Sequence, residues 1–192
     1  QACDVCSRAK KASRHRRAPL GQYRVGSVME RVHIDILGPL PLSPSGNRYI
    51  LLLVDQFSKW IEVCPLPDQR TESVAQAALD SLFSRFGCPR EIHSDQGRNF
   101  ESNLFASLCD LLQIVKTRTT PYHPSSNGQV ERYNRLILQL IRCYLRENKH
   151  DWDTDLQLIS GAIRSMVNRS TGFTANMLML GREVQQPVDL LL

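Results

Sequence analysis

No run of apolar residues in this chain approaches the ~20 that a membrane-spanning helix requires, which excludes an integral helical membrane protein. The N-terminus shows no start Met, no hydrophobic signal core and no small-residue cleavage site. The chain opens Gln-Ala-Cys, inside what reads as a motif, and so looks like a fragment of a longer protein. Cysteine is scattered: of six, only Cys3 and Cys6 stand close together, which argues against a disulfide framework. Cys64, Cys88, Cys109 and Cys143 sit singly in apolar segments, as small buried thiols do, and fit a reducing compartment. Internal repeats and low-complexity tracts are also missing. The 42% hydrophobic and 22% charged content over 192 residues excludes wholesale disorder and suits one domain with an appendage.

The chain is basic, and the charge is unevenly placed. Residues 1–24 carry seven basic side chains and one acid, a net of +6; the remaining 168 residues carry 17 basic and 18 acidic. A basic arm ahead of a near-neutral domain suits a polyanion partner, most simply nucleic acid, and also suits a solvated tether.

Beyond Pro19–Gly21, strand and helix patterns alternate. Val32, Ile34 and Ile36 form the aliphatic row of a strand whose other face carries Asp35. Tyr49–Val54 is nearly all apolar, the mark of a strand buried on both faces, and Trp60–Cys64 reads as its hairpin return. Thr71 is the expected N-cap of a helix running to Phe86, ended by Gly87-Cys88-Pro89. A short strand at Glu91–His93, a helix over 102–112 and a strand over 114–117 follow. Pro121–Gly128 is a polar loop. Val130, Tyr133, Ile137, Leu140 and Tyr144 then recur at helical spacing, as do Trp152, Leu156, Ile159, Ile163 and Val167. An antiparallel meander followed by alternating strands and helices predicts an α/β fold of ribonuclease-H-like order, with a mixed five-stranded sheet flanked by helices.

Three acids stand out. Asp35 lies in a strand just before Gly38-Pro39, Asp95 follows a strand in a loop with a permissive Gly97, and Glu131 opens the long helix. Strand C-ends and helix N-termini gather at one edge of such a sheet. Three carboxylates there repel unless cations intervene, and hard, oxygen-seeking Mg²⁺ is the natural partner. Capping or solvated acids are the other reading of the same three positions. Asp55 is set aside as an ordinary turn acid. His93 is set aside as a packed histidine that strand alternation points away from Asp95.

Five stretches carry a family resemblance: ERVHIDILGPLP (30–41), YILLLVDQFSKWIEVCPLP (49–67), REIHSDQGRNFES (90–102), KTRTTPYHPSSNGQVERYNR (116–135) and, more weakly, TGFTANMLMLGRE (171–183). Exactly 35 residues separate Asp95 from Glu131. In these features the chain closely resembles integrases of retroviruses and Gypsy-class LTR retrotransposons, the D,D-35-E polynucleotidyl transferases. The resemblance implies that Asp35, Asp95 and Glu131 are a catalytic triad holding two Mg²⁺ (or Mn²⁺). It implies attack by water on a phosphodiester near the element's DNA end, then attack by the freed 3′-hydroxyl on target DNA, with no covalent protein intermediate. It also implies nuclear action after cytoplasmic assembly, DNA as partner, and a homo-oligomer.

Glu131, Arg135 and Arg142 share a helical face at i, i+4 and i+11, so the two guanidiniums suit phosphate contact; a surface Glu131–Arg135 pair is the alternative. By the resemblance, Tyr122, His123, Ser126, Asn127 and Gln129 belong to a loop touching the DNA end. Asn134 joins them as a DNA contact or a group that positions its neighbours, and an ordinary helix-surface amide is the other reading. Cys3-x-x-Cys6 with its basic tail looks like the latter half of a His-His-Cys-Cys zinc module, which would hold Zn²⁺ only with histidines upstream of residue 1. The expected organisation is therefore a zinc-module remnant and basic linker (1–24), a catalytic core (25–170) and its C-terminal extension (171–192). Ala175 stands where relatives often carry Pro, a change expected to alter little. Two rivals remain: a domesticated, non-catalytic protein that binds DNA or chromatin, which loss of a triad acid would have favoured, and a ribonuclease H, against which the 35-residue gap argues.

Overall fold

The structure, a computed structural model, describes residues 25–97, 99–119, 132–139 and 151–185. Strands β1 (Arg31–Leu37), β2 (Tyr49–Asp55) and β3 (Ile61–Leu66) form the antiparallel meander. Strands β4 (Glu91–Ser94) and β5 (Val115–Arg118) run parallel to β1, giving the order β3-β2-β1-β4-β5. This is the mixed five-stranded sheet expected from the pattern of elements.

Helices cover both faces. On one, α1 (Thr71–Ala78) runs through a π-helical turn (Leu79–Phe83) into a last turn at Ser84–Phe86, and α2 is Asn103–Leu111. Val74, Ala78 and Leu82 join Phe105 and Cys109 over Val32, Ile34, Leu51, Leu53 and Ile92. On the other face lie α3 (132–139) and α4 (Leu156–Ser165). Ile137, Leu156, Ile159 and Ile163 cover Ile50, Leu52, Val54, Ile61 and Val63. Alternation along β2 thus feeds both cores, and each buried aliphatic contributes about 1.5–3 kcal/mol relative to exposure. Helix α5 (Ala175–Leu180) adds Ala175 to the first core. Its N-cap Thr174 accepts from the Met177 amide at 3.0 Å, so Ala175 is the first helical residue, a position that also suits Pro.

Several expectations change. The cap of α1 is Arg70 without a side-chain bond, because the Thr71 hydroxyl instead meets Ser102 Oγ at 2.9 Å and ties α1 to α2. The helix carrying Leu156 is shorter than its apolar spacing: Trp152 precedes it, anchored by Nε1 on the Pro41 carbonyl at 2.8 Å, and exposed Val167 follows it in a bridge with Thr174. Cys64 and Cys109 are buried free thiols, but Cys88 is exposed in the Gly87–Pro89 break; Cys143 lies outside the described residues.

The β3 edge of the sheet is closed by charge. Glu62 is fully buried; Trp60 Nε1 donates to its Oε1 at 2.9 Å, Arg164 of α4 lies 3.5 Å from Oε1, and Arg85 after α1 lies 3.4 Å from Oε2. The Arg164 guanidinium also stacks 4.5 Å from the Trp60 ring centre. One carboxylate therefore clasps both helical layers around the sheet. Removing it leaves Arg164, whose side chain is only 12% exposed, without its counter-ion. Glu62→Ala should cost about 3–5 kcal/mol, read as a lowered urea midpoint; an unchanged midpoint would refute the clasp.

Candidate active site

The parallel register aligns Ile34 of β1 with Ser94 of β4, so Asp35 and Asp95 are the next residues at the C-ends of neighbouring strands. Ile34 is fully buried in the α1/α2 core, which turns half-buried Asp35 to the α3/α4 face, as predicted. There α3 delivers Asn134, whose Nδ2 donates to Asp35 Oδ2 at 2.7 Å. The Ile36 amide donates to Asp35 Oδ1 at 2.8 Å. Both oxygens are thus oriented by protein N–H groups. Asn134 is thus a hydrogen-bond partner of the Asp35 carboxylate.

Asp95 is set by its loop. The Gly97 amide donates to Asp95 Oδ1 at 2.9 Å, and among the described residues Oδ2 carries no hydrogen bond. Gly97 is needed for space and not for an unusual backbone angle, since an added Cβ would lie 2.9 Å from Asp95 Oδ1. The loop is stapled to the end of β5: the Thr119 amide and hydroxyl both donate to the Ser94 carbonyl at 3.0 Å, and Gln96 Nε2 donates to the Thr119 carbonyl at 2.9 Å. Gln96 and Thr119 lie in two of the resembling stretches but are not singled out there; the pairing of β4 with β5 makes them neighbours.

Helix α3 is fixed from its other side. The Tyr133 hydroxyl donates to the Lys59 carbonyl at 3.2 Å. Lys59 sits at φ 66° in the β2–β3 turn, which Asp55 organises. Asp55 is a turn acid, but a buried one, accepting from Met29 N at 2.9 Å, Ser58 N at 2.7 Å and Ser58 Oγ at 2.6 Å.

His93 is packed, as expected, but on the face of Asp35. It pairs in register with His33, and the rings meet edge to face at 5.1 Å. A period-two strand puts residues 93 and 95 on one side, so alternation does not separate them. His93 Nδ1 lies 2.9 Å from Thr117 Oγ1, beside the buried Arg31–Glu91 pair at 3.2 Å. Burial, then Arg31 and His33, push its pKa down to about 4, against a smaller opposite pull from Glu91.

Arg135 is exposed on α3. Glu131, Tyr122, His123, Ser126, Asn127, Gln129, Arg142, Cys3 and Cys6 lie outside the described residues. Among the described residues no three His, Cys, Asp or Glu side chains form a metal-holding group; two of the three predicted acids are described, at adjacent strand ends. Their donor chemistry suits a hard divalent cation: carboxylate oxygens, pre-oriented by neutral amides.

Comparison with known proteins gives a consistent result. The model of the integrase core domain matches residues 27–124. The chain is 28% identical over 160 residues to the retrovirus-related Pol polyprotein from transposon 412 of Drosophila melanogaster, covering 83% of this chain and 13% of that one. It is 35% identical over 173 residues to the Gag-Pol polyprotein of baboon endogenous virus (strain M7), covering 88% and 10%. The chain thus spans a small part of these polyproteins. The HTLV-2 integrase catalytic core domain in complex with magnesium (trimeric form) superposes with a TM-score of 0.65 at 21% identity, covering 81% of this chain and 99% of that one.

Two outcomes follow from this geometry. Gly97→Ala should push the Asp95 carboxylate off the Gly97 amide and cost about 1 kcal/mol; faster amide exchange at position 97 and a lowered urea midpoint report it, and unchanged values refute it. Because the folded pKa of His93 lies below the ordinary 6.5, its contribution to stability is complete above pH 6.5 and is lost as pH falls toward about 4. His93→Asn should be less stable at pH 7 but flatter in stability between pH 6.5 and 5, measured by urea unfolding at each pH.

Proposed function

The chain belongs to the integrase core family, with a ribonuclease-H-like fold, and from that premise we propose that it carries the catalytic centre that inserts retroelement DNA into a genome. The observation that carries this reading is the 2.7 Å bond from Asn134 to Asp35, which ties the helix that follows Glu131 to the strand end beside Asp95. Asp35 and Asp95, with Glu131 three residues ahead of Asn134 in sequence, are the residues that would hold two Mg²⁺ ions. Such ions, when bound, supply charge neutralisation for phosphoryl transfer and activation of the attacking oxygen.

The protein's own part is placement. The Ile36 amide and Asn134 hold the Asp35 carboxylate, and the Gly97 amide holds that of Asp95. With both oriented before DNA arrives, little reorganisation accompanies the displacement at phosphorus. Processing of the 3′ end and strand transfer are then two uses of one centre, water attacking first and a DNA 3′-hydroxyl second. Exposed Arg135, one residue beyond Asn134, suits a DNA phosphate, and Arg142 and the 122–129 residues Tyr122, His123, Ser126, Asn127 and Gln129 extend that contact. A multimer acting in the nucleus, with Cys3 and Cys6 completing a zinc module when histidines precede them, belongs to the same proposal.

Glu131→Gln in a full-length version with its zinc module should lower Mg²⁺-dependent joining of DNA ends by about a hundredfold or more. Circular dichroism should remain unchanged. Undiminished joining by that variant would overturn the assignment, and so would preferential cleavage of an RNA–DNA hybrid by the parent protein.

A further inference from the structure

A cleft of about 510 Å³ opens on the flank of α3 away from Asn134's bond to Asp35, between α3, α4 and the segment leading to α5. Three cationic residues line it, Lys59, Arg132 and Arg169, and no acid does among the described residues. Its wall is apolar: Ile163 is buried, while Met166 and Val167 at the rim are 60% and 65% exposed. A phosphodiester backbone would use the cations and leave that wall bare. A purely apolar ligand would make no use of the cations. The two features together suit a ligand with an apolar body bearing carboxylates.

We propose that this cleft is a docking site for an acidic–apolar peptide segment of a protein partner, an aliphatic or aromatic side chain seated on Ile163, Met166 and Val167 with flanking carboxylates on Lys59, Arg132 and Arg169. Charge complementarity selects this occupant over DNA. The state of Lys59 agrees with it: burial lowers its pKa, Asp55 opposes that, and Arg132 lowers it further. Lys59 Nζ also donates to the Gln56 carbonyl at 2.5 Å, and a carboxylate entering the cleft would add negative charge beside Lys59 and Arg132. The floor is built, since Tyr133 holds the Lys59 carbonyl and Asn168 Nδ2 lies 3.4 Å from the Tyr133 hydroxyl. The site is separate from the Asp35–Asp95 edge and does not depend on the activity proposed above.

The test is fluorescence polarisation of the 192-residue chain with a labelled Glu-Leu-Phe-Asp peptide, its Gln-Leu-Phe-Asn counterpart and a 16-base-pair DNA duplex. The acidic peptide should bind about tenfold more tightly than the neutral one, a difference of about 1.4 kcal/mol. Higher salt should weaken it. Arg169→Ala should weaken the acidic peptide severalfold, and Val167→Asp, which sets a like charge on the apolar rim, should weaken it more. Both substitutions are at exposed positions, and circular dichroism verifies the fold. Equal binding of the two peptides, no binding of either, or peptide binding indifferent to both variants would overturn the proposal. Duplex binding that falls with both variants while peptide binding does not would assign the cleft to nucleic acid and overturn it as well.

Discussion

Everything at the Asp35–Asp95 edge depends on the register between β1 and β4. In a parallel pair, a slip of one residue moves every side chain of a strand to the opposite face. Here such a slip would send Ile34 and Ile92 out of the α1/α2 core and turn Asp35 away from α3. Burying Ile34 and Ile92 on one side therefore fixes the placement of Asp35 on the other. The hydrophobic core sets the coordinates of the carboxylate, and the hydrogen bond from Asn134 only refines them.

The helices need restraint of their own, because each touches the sheet on one face. Glu62 clasps Arg85 and Arg164 around the β3 edge, so the layer of α1 and the layer of α4 are tied through a single buried carboxylate. Gln157 Nε2 donates to the Val63 carbonyl at 2.9 Å and occupies an acceptor of the same edge. Asp55 organises the β2–β3 turn, and that turn presents the Lys59 carbonyl to Tyr133 of α3. The chain of restraint runs from a buried turn acid to α3, and through Asn134 to Asp35. A turn residue distant in sequence from Asp95 thereby bears on the geometry of the Asp35–Asp95 edge.

Much of this was legible in the sequence, and the exceptions have a common cause. Alternation at Val32–Ile36 placed Asp35 on the correct face, and the unbroken apolar run Tyr49–Val54 identified the doubly buried strand. The third acid, Glu131, falls outside the described residues, so its place in the site rests on its motif. What periodicity could not show was anything decided between elements. Thr71 looked like a cap, yet Ser102 of the neighbouring helix claims its hydroxyl. Gly97 reads as a permissive loop residue, yet what it supplies is room beside the Asp95 carboxylate, which an added Cβ would crowd. Thr119 and Gln96 lie in separate resembling stretches, and their pairing shows only when β5 lies beside β4. His93 was set apart from Asp95, although a period of two places them together.

The uneven charge of the chain takes on a structural meaning beside these contacts. Outside the basic arm the domain is almost neutral, but neutrality of a sum conceals separation in space. Glu62 and Glu91 are paired inside the fold, so their charge hardly reaches solvent. Asp35 and Asp95 stand at neighbouring strand ends, their carboxylates oriented by amides. Lys59, Arg132 and Arg169 stand together in the cleft. Tyr133 and Asn134 are consecutive on α3, so one helix serves the cationic surface with one residue and the anionic edge with the next.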